Sequence, residues 1–550
     1  MTGIVQAAVV VISAIAWLAL LGSAVLVAAR MFQIEEYEGR RLFAWGRTGE
    51  WLLHPAAVVP AAIVAATTAV VVATGSREAL RVVVAASWGV GALGGHLLWR
   101  WLPPKKELVF TPRMRRLLAT TAVLAVLVAD GISVALELAP VWLGGLLAAA
   151  AALGVTALAM ALPAAANAIN APFEARVRRG FVRSASARMR AVDPLVIAVA
   201  GSYGKTSTKH ILAHLLEQYG PTLATPKSFN TLMGVSKTVN ELLEDRHRTF
   251  IVEMDAYAPG EIASICEMVR PNHALLTSVG PQHLERFGTI DRIAAALYET
   301  LSALPPGGFA VVYAGDAQTA TLAARARGEG RRVVSYGIDG DPGALDVVAE
   351  DVQITGRGSR FTWVWPALGL RHELALPLLG RHQVLNVSAA LATVQLLGLP
   401  LEPALAAVAS LRPVDHRLQP VATGNAITVI DDSYNANPVG VHNALEVLAE
   451  LEAGARILVT PGLVELGSVE DAENRRYGEH AARVCDHVIV MDAHPGRALR
   501  EGLLAGGMAV EHIHVVRSLA EATAVIGRIA TAGDAVLFAN DLPDTYLGAA

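Results

Sequence analysis

An α-helical membrane region of about five spans followed by an α/β region is the architecture this sequence predicts, and three observations predict it. The first third is nearly all Ala, Val, Leu and Gly with clustered Arg, whereas almost all Asp and Glu lie after Asp193. That first third holds apolar runs long enough to cross a bilayer. Beyond it, short apolar runs alternate with amphipathic stretches, as strands and helices do in an open sheet. With 550 residues, 53% of them hydrophobic, the chain can form a membrane region and two or three globular domains. The formal net charge of -4 conceals the asymmetry between the two parts.

The apolar runs are Ile4 to Ala29, Pro55 to Thr74, Val82 to Leu98, Leu117 to Leu138 and Val141 to Leu162. The first lacks both a charged leading segment and a small-residue cleavage site, so it reads as a span rather than a signal peptide. Positive charge gathers in alternate connections: Arg30, Arg40, Arg41 and Arg47; then Arg100, Lys105, Lys106, Arg113, Arg115 and Arg116; then Arg176, Arg178, Arg179 and Arg183. The positive-inside rule makes these connections cytoplasmic. A multi-pass protein of the cell membrane follows, with its N-terminus outside and everything after Pro172 in the cytosol. Asp130 and Glu137 fall within or near the fourth run, where a charge in lipid is costly and by default suggests function, although both could simply lie near the external interface. Basic clusters that alternate with spans argue for contact with membrane lipid and against nucleic acid. Cys266 and Cys485, both in the soluble part, read as buried thiols in a reducing compartment.

The chemistry begins at Leu195 to Ala200, a continuous apolar run of the kind that forms a buried parallel strand. Gly201-Ser202-Tyr203-Gly204-Lys205-Thr206-Ser207 follows, and then an amphipathic stretch through Leu216. Strand, glycine-rich turn, Lys-Thr and helix is the arrangement that cradles phosphate, because free backbone N–H groups and the helix N-terminus face the anion. Gly201, Ser202, Gly204, Lys205, Thr206 and Ser207 are therefore candidates for binding ATP. In that reading Lys205 reaches the outer phosphates and Thr206 reaches Mg2+. Val199 stands where the general pattern has its first glycine. Downstream, Thr249 to Asp255 is an apolar strand ending in acids, and Ala274 to Ser278 and Phe309 to Tyr313 are further strands. Strand ends form the ligand-binding rim of such sheets. Glu253 is thus a candidate Mg2+ ligand and His283, beyond the next strand, a second.

Seven segments in order carry a resemblance: Gly201 to Ser207, Asn230-Thr-Leu-Met-Gly234, Val252-Glu253, His283-Leu-Glu, Gly380-Arg381-His382-Gln-Val-Leu-Asn386, His416-Arg417-Leu418, and Asp431-Asp432-Ser433-Tyr434-Asn435-Ala436-Asn437-Pro438. Together they resemble the Mur ligase family, and within it the members that add D-alanyl-D-alanine. The resemblance implies a central ATP-binding domain over residues 194–410 and a Rossmann-like C-terminal domain over 411–550. Before them come a transmembrane region at 1–175 and a basic juxtamembrane linker at 176–193. It further implies ATP-dependent, ADP-forming amide synthesis through an acyl phosphate, in peptidoglycan precursor synthesis at the cytoplasmic face of the membrane. The partners would be a carboxylate substrate, UDP-linked or lipid-linked, and an amino acid or dipeptide. By resemblance Lys205, Glu253 and His283 are catalytic, Thr206, Glu253 and His283 hold metal, and Asn386, Arg417, Asp432, Tyr434 and Asn437 meet the nucleotide.

Three departures accompany the matches. Membrane spans occupy the place where family members carry a soluble domain for a UDP-linked sugar peptide, which favours a substrate presented at the bilayer. Leu297 falls where most of the family has a carbamylated lysine, so Glu299 or another acid substitutes for it or a second Mg2+ is held more weakly. Phe538-Ala539-Asn540-Asp541-Leu542-Pro543-Asp544 replaces a basic turn. Alternatives are a poly-γ-glutamate-type synthetase, and a nucleotide-binding envelope scaffold or transport ATPase without ligase activity.

Overall fold

The computed structural model describes residues 2–35, 37–47, 58–59, 61–63, 66, 76–100, 108–227, 229–282, 284–339, 345–355, 358–413, 416–421, 427–433, 437–464, 466–492 and 494–540. The chain separates into two compact units, Met1–Arg178 and Arg179–Ala550.

The first unit is helical. Its Thr2–Ile34 helix packs chiefly on the Arg77–Arg100 helix, burying Trp17, Leu20, Leu21, Ala24 and Ala28 with Val84 and Trp88. Small side chains on that seam let the backbones approach closely. Val11, Ile12 and Ile15, and Val123, Val126 and Leu127 of the Pro112–Leu138 helix, remain exposed. Apolar residues on the outside of a helical bundle are what a lipid-facing surface presents. Glu137 is paired with Arg81 (2.5 Å) and Glu174 with Arg116 (2.7 Å), so both acids have a cation beside them.

Of the about five expected spans, part is found. Among the described residues three helices are long and apolar enough to cross a membrane: Val11–Ile34, Pro112–Leu138 and Val155–Val192. Pro55 to Thr74 falls almost wholly outside the described residues. Val82 to Leu98 lies inside the Arg77–Arg100 helix, 24 residues long. Val141 to Leu162 is not one helix: the chain breaks at Gly154 into Val141–Leu153, 13 residues, and Val155–Val192, 38 residues. Thirteen residues rise about 20 Å, short of a hydrocarbon core of about 30 Å. The longer helix runs on through Pro163, Pro172 and the arginine cluster, so the expected basic linker is helical.

The second unit holds two sheets. The first has nine strands: β1 (Leu195–Ala200), β2 (Thr222–Ala224), β3 (Thr249–Glu253), β4 (His273–Leu276), β5 (Phe309–Tyr313), β6 (Arg332–Ile338), β7 (Val347–Thr355), β8 (Gly358–Trp365) and β9 (Leu370–Leu376). Their order is β2-β3-β1-β4-β5-β6-β7-β8-β9, parallel through β7 and antiparallel from β7 to β9. Alternation along β1 supplies two cores. Val196, Ala198 and Ala200 face a layer with Phe250, Val252 and Leu297. Ile197 and Val199 face Ile211, Leu212, Leu215, Val387 and Leu391. β1 is therefore buried on both faces, as its unbroken apolar run requires.

The second sheet comprises β10 (Gln419–Val421), β11 (Thr428–Asp432), β12 (Arg456–Thr460), β13 (His487–Met491), β14 (Ile513–Val516) and β15 (Ala535–Ala539), in the order β10-β11-β15-β12-β13-β14. Among the described strands of this sheet only β10 runs antiparallel to its neighbour. Helices Pro438–Glu450, Glu470–Val484 and His494–Ala505 cover one face. Cys266 and Cys485 are both buried and unbridged.

Candidate functional site

A strand order that reverses direction of travel at β1 leaves a crevice beyond the carboxyl ends of β1, β3 and β4. The 201–204 turn emerges from β1, and its backbone can be made only by glycine at two points. Gly201 has φ +141° and a Cβ there would meet the Thr277 hydroxyl at 2.0 Å; Gly204 has φ +81° and caps the Lys205–Leu216 helix. Ser202 fastens the turn to the end of β4, donating to the Gly280 carbonyl (3.1 Å) and accepting from its N–H (2.9 Å). The helix N-terminus consequently opens onto the crevice with Thr206 and Ser207 on its first turn.

At the end of β3, Glu253 is buried. It accepts from the Thr206 hydroxyl (3.1 Å) and Asn230 Nδ2 (3.1 Å) on one oxygen and pairs with Lys209 Nζ (2.9 Å) on the other. Burial alone would raise its carboxyl; the Lys209 and Lys205 ammoniums beside it hold it below the usual carboxylate range. It is therefore an anion, joined through a hydroxyl to the phosphate turn, the donor set a divalent metal takes. Lys205 is buried as well. Its Nζ lies 2.5 Å from the Gly201 carbonyl, 3.3 Å from that of Ser202, 3.4 Å from Gln282 Oε1 and 3.1 Å from Asp255 Oδ2.

A polar cleft above this floor is lined by Ser202, Gly204, Lys205, Thr206, Ser207, Asn230, Glu253, Asp255 and Gln282, and by Arg417 and Asn437 from the C-terminal domain. Asn437 caps the Pro438–Glu450 helix, its Oδ1 accepting from Gly440 N (2.7 Å). Asp432 at the end of β11 accepts from Leu418 N (3.1 Å) and does not line the cleft. Burial pushes its carboxyl up to about 7, against the Arg417 charge and the Leu418 N–H. Asn386 sits beneath the turn rather than in the cleft: its Oδ1 accepts from Thr208 (2.9 Å) and a Cβ on Gly204 would lie 3.0 Å from it. Next to it His382 is half-buried, and its desolvation with the Arg417 charge lowers it to about 4, so it is neutral. Ser207 also lines a second hollow with His210, His214, Gln383 and Arg412. His283 and Tyr434 lie outside the described residues.

Sequence reasoning did not single out Lys209, Asn230 or Asp255 as site residues. Lys209 falls four residues after Lys205 and so shares its helix face, the one available signal. Glu299, considered as a metal ligand, is engaged elsewhere: its carboxylate accepts from Gly260 N (2.6 Å) and Ala263 N (2.8 Å) at the start of the Glu261–Val269 helix. Leu297 is buried in the core. Asn540 of the expected turn donates to the Gly462 carbonyl (2.6 Å), and residues 541–550 lie outside the described part.

The profile of the Mur ligase middle domain matches residues 199–394, and that of the Mur ligase glutamate ligase domain matches residues 416–540. A UDP-N-acetylmuramoyl-tripeptide--D-alanyl-D-alanine ligase of Mycobacterium leprae is 31% identical over 378 residues, covering 64% of this chain and 72% of that protein. The chain belongs to the Mur ligase family. The Escherichia coli ligase of the same name is 34% identical over 292 residues, 53% of this chain and 62% of its own length, so the chain spans less than two thirds of that relative. Among solved structures, a MurF from Acinetobacter baumannii superposes with TM-score 0.59 at 27% identity, covering 66% of this chain and 77% of that one. A MurF from Thermotoga maritima in complex with ADP gives 0.59 at 24% identity, covering 67% and 81%, a likeness of fold. Both family profiles fall within the second unit, and the phosphate turn, Glu253 and Arg417 lie inside them.

Proposed function

We propose that the chain is an ATP-dependent, ADP-forming amide ligase of peptidoglycan precursor synthesis, acting on a carboxylate presented at the inner face of the membrane. The observation that carries this reading is the Thr206–Glu253–Lys209 arrangement at the mouth of the phosphate turn, faced across one cleft by Arg417 and Asn437. In the relatives of known name the product is made by joining D-alanyl-D-alanine to a UDP-linked tripeptide. Here the same step would transfer the γ-phosphoryl of ATP to a carboxylate oxygen and release ADP. The amine nitrogen then attacks the acyl carbon, loses its proton, and phosphate departs.

The chain's own groups divide the work. N–H groups of the turn and the helix N-terminus hold the phosphates, and Lys205 swings from Asp255 to the transferring phosphoryl and neutralises its developing charge. Thr206 and Glu253 would hold Mg2+, which supplies Lewis-acid charge to the phosphoryl oxygens. His283, by the family resemblance, joins them on the acceptor side. Arg417 and Asn437 close on the nucleotide from the C-terminal domain. The helical unit, with its outward valines and isoleucines and the arginines that follow it, supports a multi-pass membrane anchor with the α/β unit in the cytosol.

The test is to incubate the detergent-purified chain and ATP with pooled UDP-linked and lipid-linked precursors, amino acids and D-alanyl-D-alanine. ADP release should match the amide products seen as mass shifts. Product only from lipid-linked precursors supports the membrane substrate, and equal turnover of soluble precursors after removal of residues before Arg176 counts against it. A polymeric product would instead identify a poly-γ-glutamate-type synthetase.

A further inference from the structure

We infer that the helical unit binds the compact oxyanion head of a single-chain amphiphile, a carboxylate or a phosphate, in a cavity that Trp88 and Arg81 line. This goes beyond the ligase reading and does not depend on it. The cavity lies between the Thr2–Ile34, Arg77–Arg100 and Pro112–Leu138 helices, and its polar lining is Ser13, Arg81, Trp88, Ser133 and Glu137. About 40 Å³ of it is open to the centre of a water molecule. That is room for about three waters, and so for one such head.

Trp88 is the residue that points to a ligand. It is 2% exposed, yet its indole N–H meets no acceptor among the described residues. A buried indole N–H ordinarily finds one, and Trp17, as deeply buried in the same bundle, donates to the Ala151 carbonyl (3.1 Å). Arg81 adds donors to the same space. It engages both Glu137 oxygens through Nη2 (2.6 and 2.5 Å), which leaves Nε and Nη1 without an acceptor among the described residues. Unmet donors beside a guanidinium call for an oxyanion. The rest of the lining is apolar, with Leu80, Val84, Leu136 and Val141. Ile12 and Ile15 next to Ser13, and Val134 and Leu138 next to Ser133 and Glu137, are exposed. A polar floor within an apolar rim takes an amphiphile, its head inside and its chain laid along those side chains. Glu137, whose side chain is 40% exposed, is the resident counter-ion that an arriving head displaces from Arg81 towards solvent.

The experiment titrates the full chain, in an uncharged maltoside detergent, with diazirine-tagged dodecanoate, dodecyl phosphate and dodecanol. Crosslinks to the Arg77–Arg100 and Pro112–Leu138 helices are counted by mass spectrometry, and thermal melting checks each variant's fold. At least one anionic probe should label the wild type saturably, and the alcohol should not; the anion that saturates at the lower concentration names the head. Trp88→Phe, which keeps the packing and removes the N–H, should weaken labelling about tenfold or more, the worth of a hydrogen bond to a charged group, and Arg81→Gln should weaken it further. Glu137→Gln should tighten it, because the head no longer competes for Arg81, and a purely structural ion pair would not give that sign. Saturation by neither anion, equal labelling by the alcohol, an unchanged affinity in Trp88→Phe, or weaker labelling in Glu137→Gln would each overturn the assignment. If Trp88→Phe does not fold, the opposite signs of Arg81→Gln and Glu137→Gln carry the test.

Discussion

On the floor of the cleft every charged group is enclosed and answered: Glu253 meets Lys209, Thr206 and Asn230, and Lys205 meets Asp255. The facing wall from the C-terminal domain is built from backbone turns, with His416 and Leu418 in left-handed conformations at φ 60° and 43° on either side of Arg417. The floor is a rigid receptor for phosphate and metal. The wall is held by turn contacts, His416 to Asp431 (2.6 Å) and Gln419, Leu418 N–H to Asp432, and the Asn437 cap. The difference teaches that affinity for the phosphates belongs to one domain and completion of the site to the other.

The comparison is broken most severely at Lys209. Lys209→Met leaves Glu253 as a buried uncompensated charge, so denaturant unfolding should show a loss of about 3–5 kcal/mol, with nucleotide binding lost as well. An unchanged midpoint would mean that the floor is not held by this pair. Arg417→Ala, by contrast, should leave stability nearly unaltered and raise the KM for ATP roughly tenfold or more, the worth of a charge-assisted bond of about 1.5–3 kcal/mol. If it lowers stability instead, the wall is structural. Asn437→Ala removes a helix cap and should cost about 1 kcal/mol in denaturant unfolding.

The smallest effect concerns Asp432. Its carboxyl is raised in the folded chain from 3.8 to about 7, so the folded state binds the proton more tightly. That contribution is fully present below about pH 4 and is lost as pH rises towards 7. Asp432→Asn should therefore gain thermal stability relative to the wild type across that window. Parallel melting curves at all pH values would contradict the sign.

Much of the floor was legible in the sequence because it is local: an apolar strand, a glycine turn and Lys-Thr are contiguous, and Glu253 ends the next such strand. Lys209 and Asp255 were not, since a lysine on a helix and an acid after a strand normally lie in solvent, and only packing of β3 against the Lys205–Leu216 helix buries Lys209 and brings Lys205 to Asp255. Asn386 could be found by its motif but not placed, because Thr208 and Gly204 reach it from far along the chain. The break at Gly154 was hidden within an unbroken Ala-rich run, in which composition does not change where the helix does. The antiparallel β7–β9 extension was not read, although Leu370, Leu374 and Leu376 alternate with Arg371 and Glu373 at the period of a strand.

The central claim is that Lys205 on this floor handles the phosphoryl group that drives amide formation. ADP release by the full-length chain, wild type against Lys205→Ala, in detergent with ATP and the pooled precursors, tests it most directly. The account predicts that the substitution lowers release by roughly 10²–10³-fold while the protein remains folded. Equal release by the two proteins would contradict it.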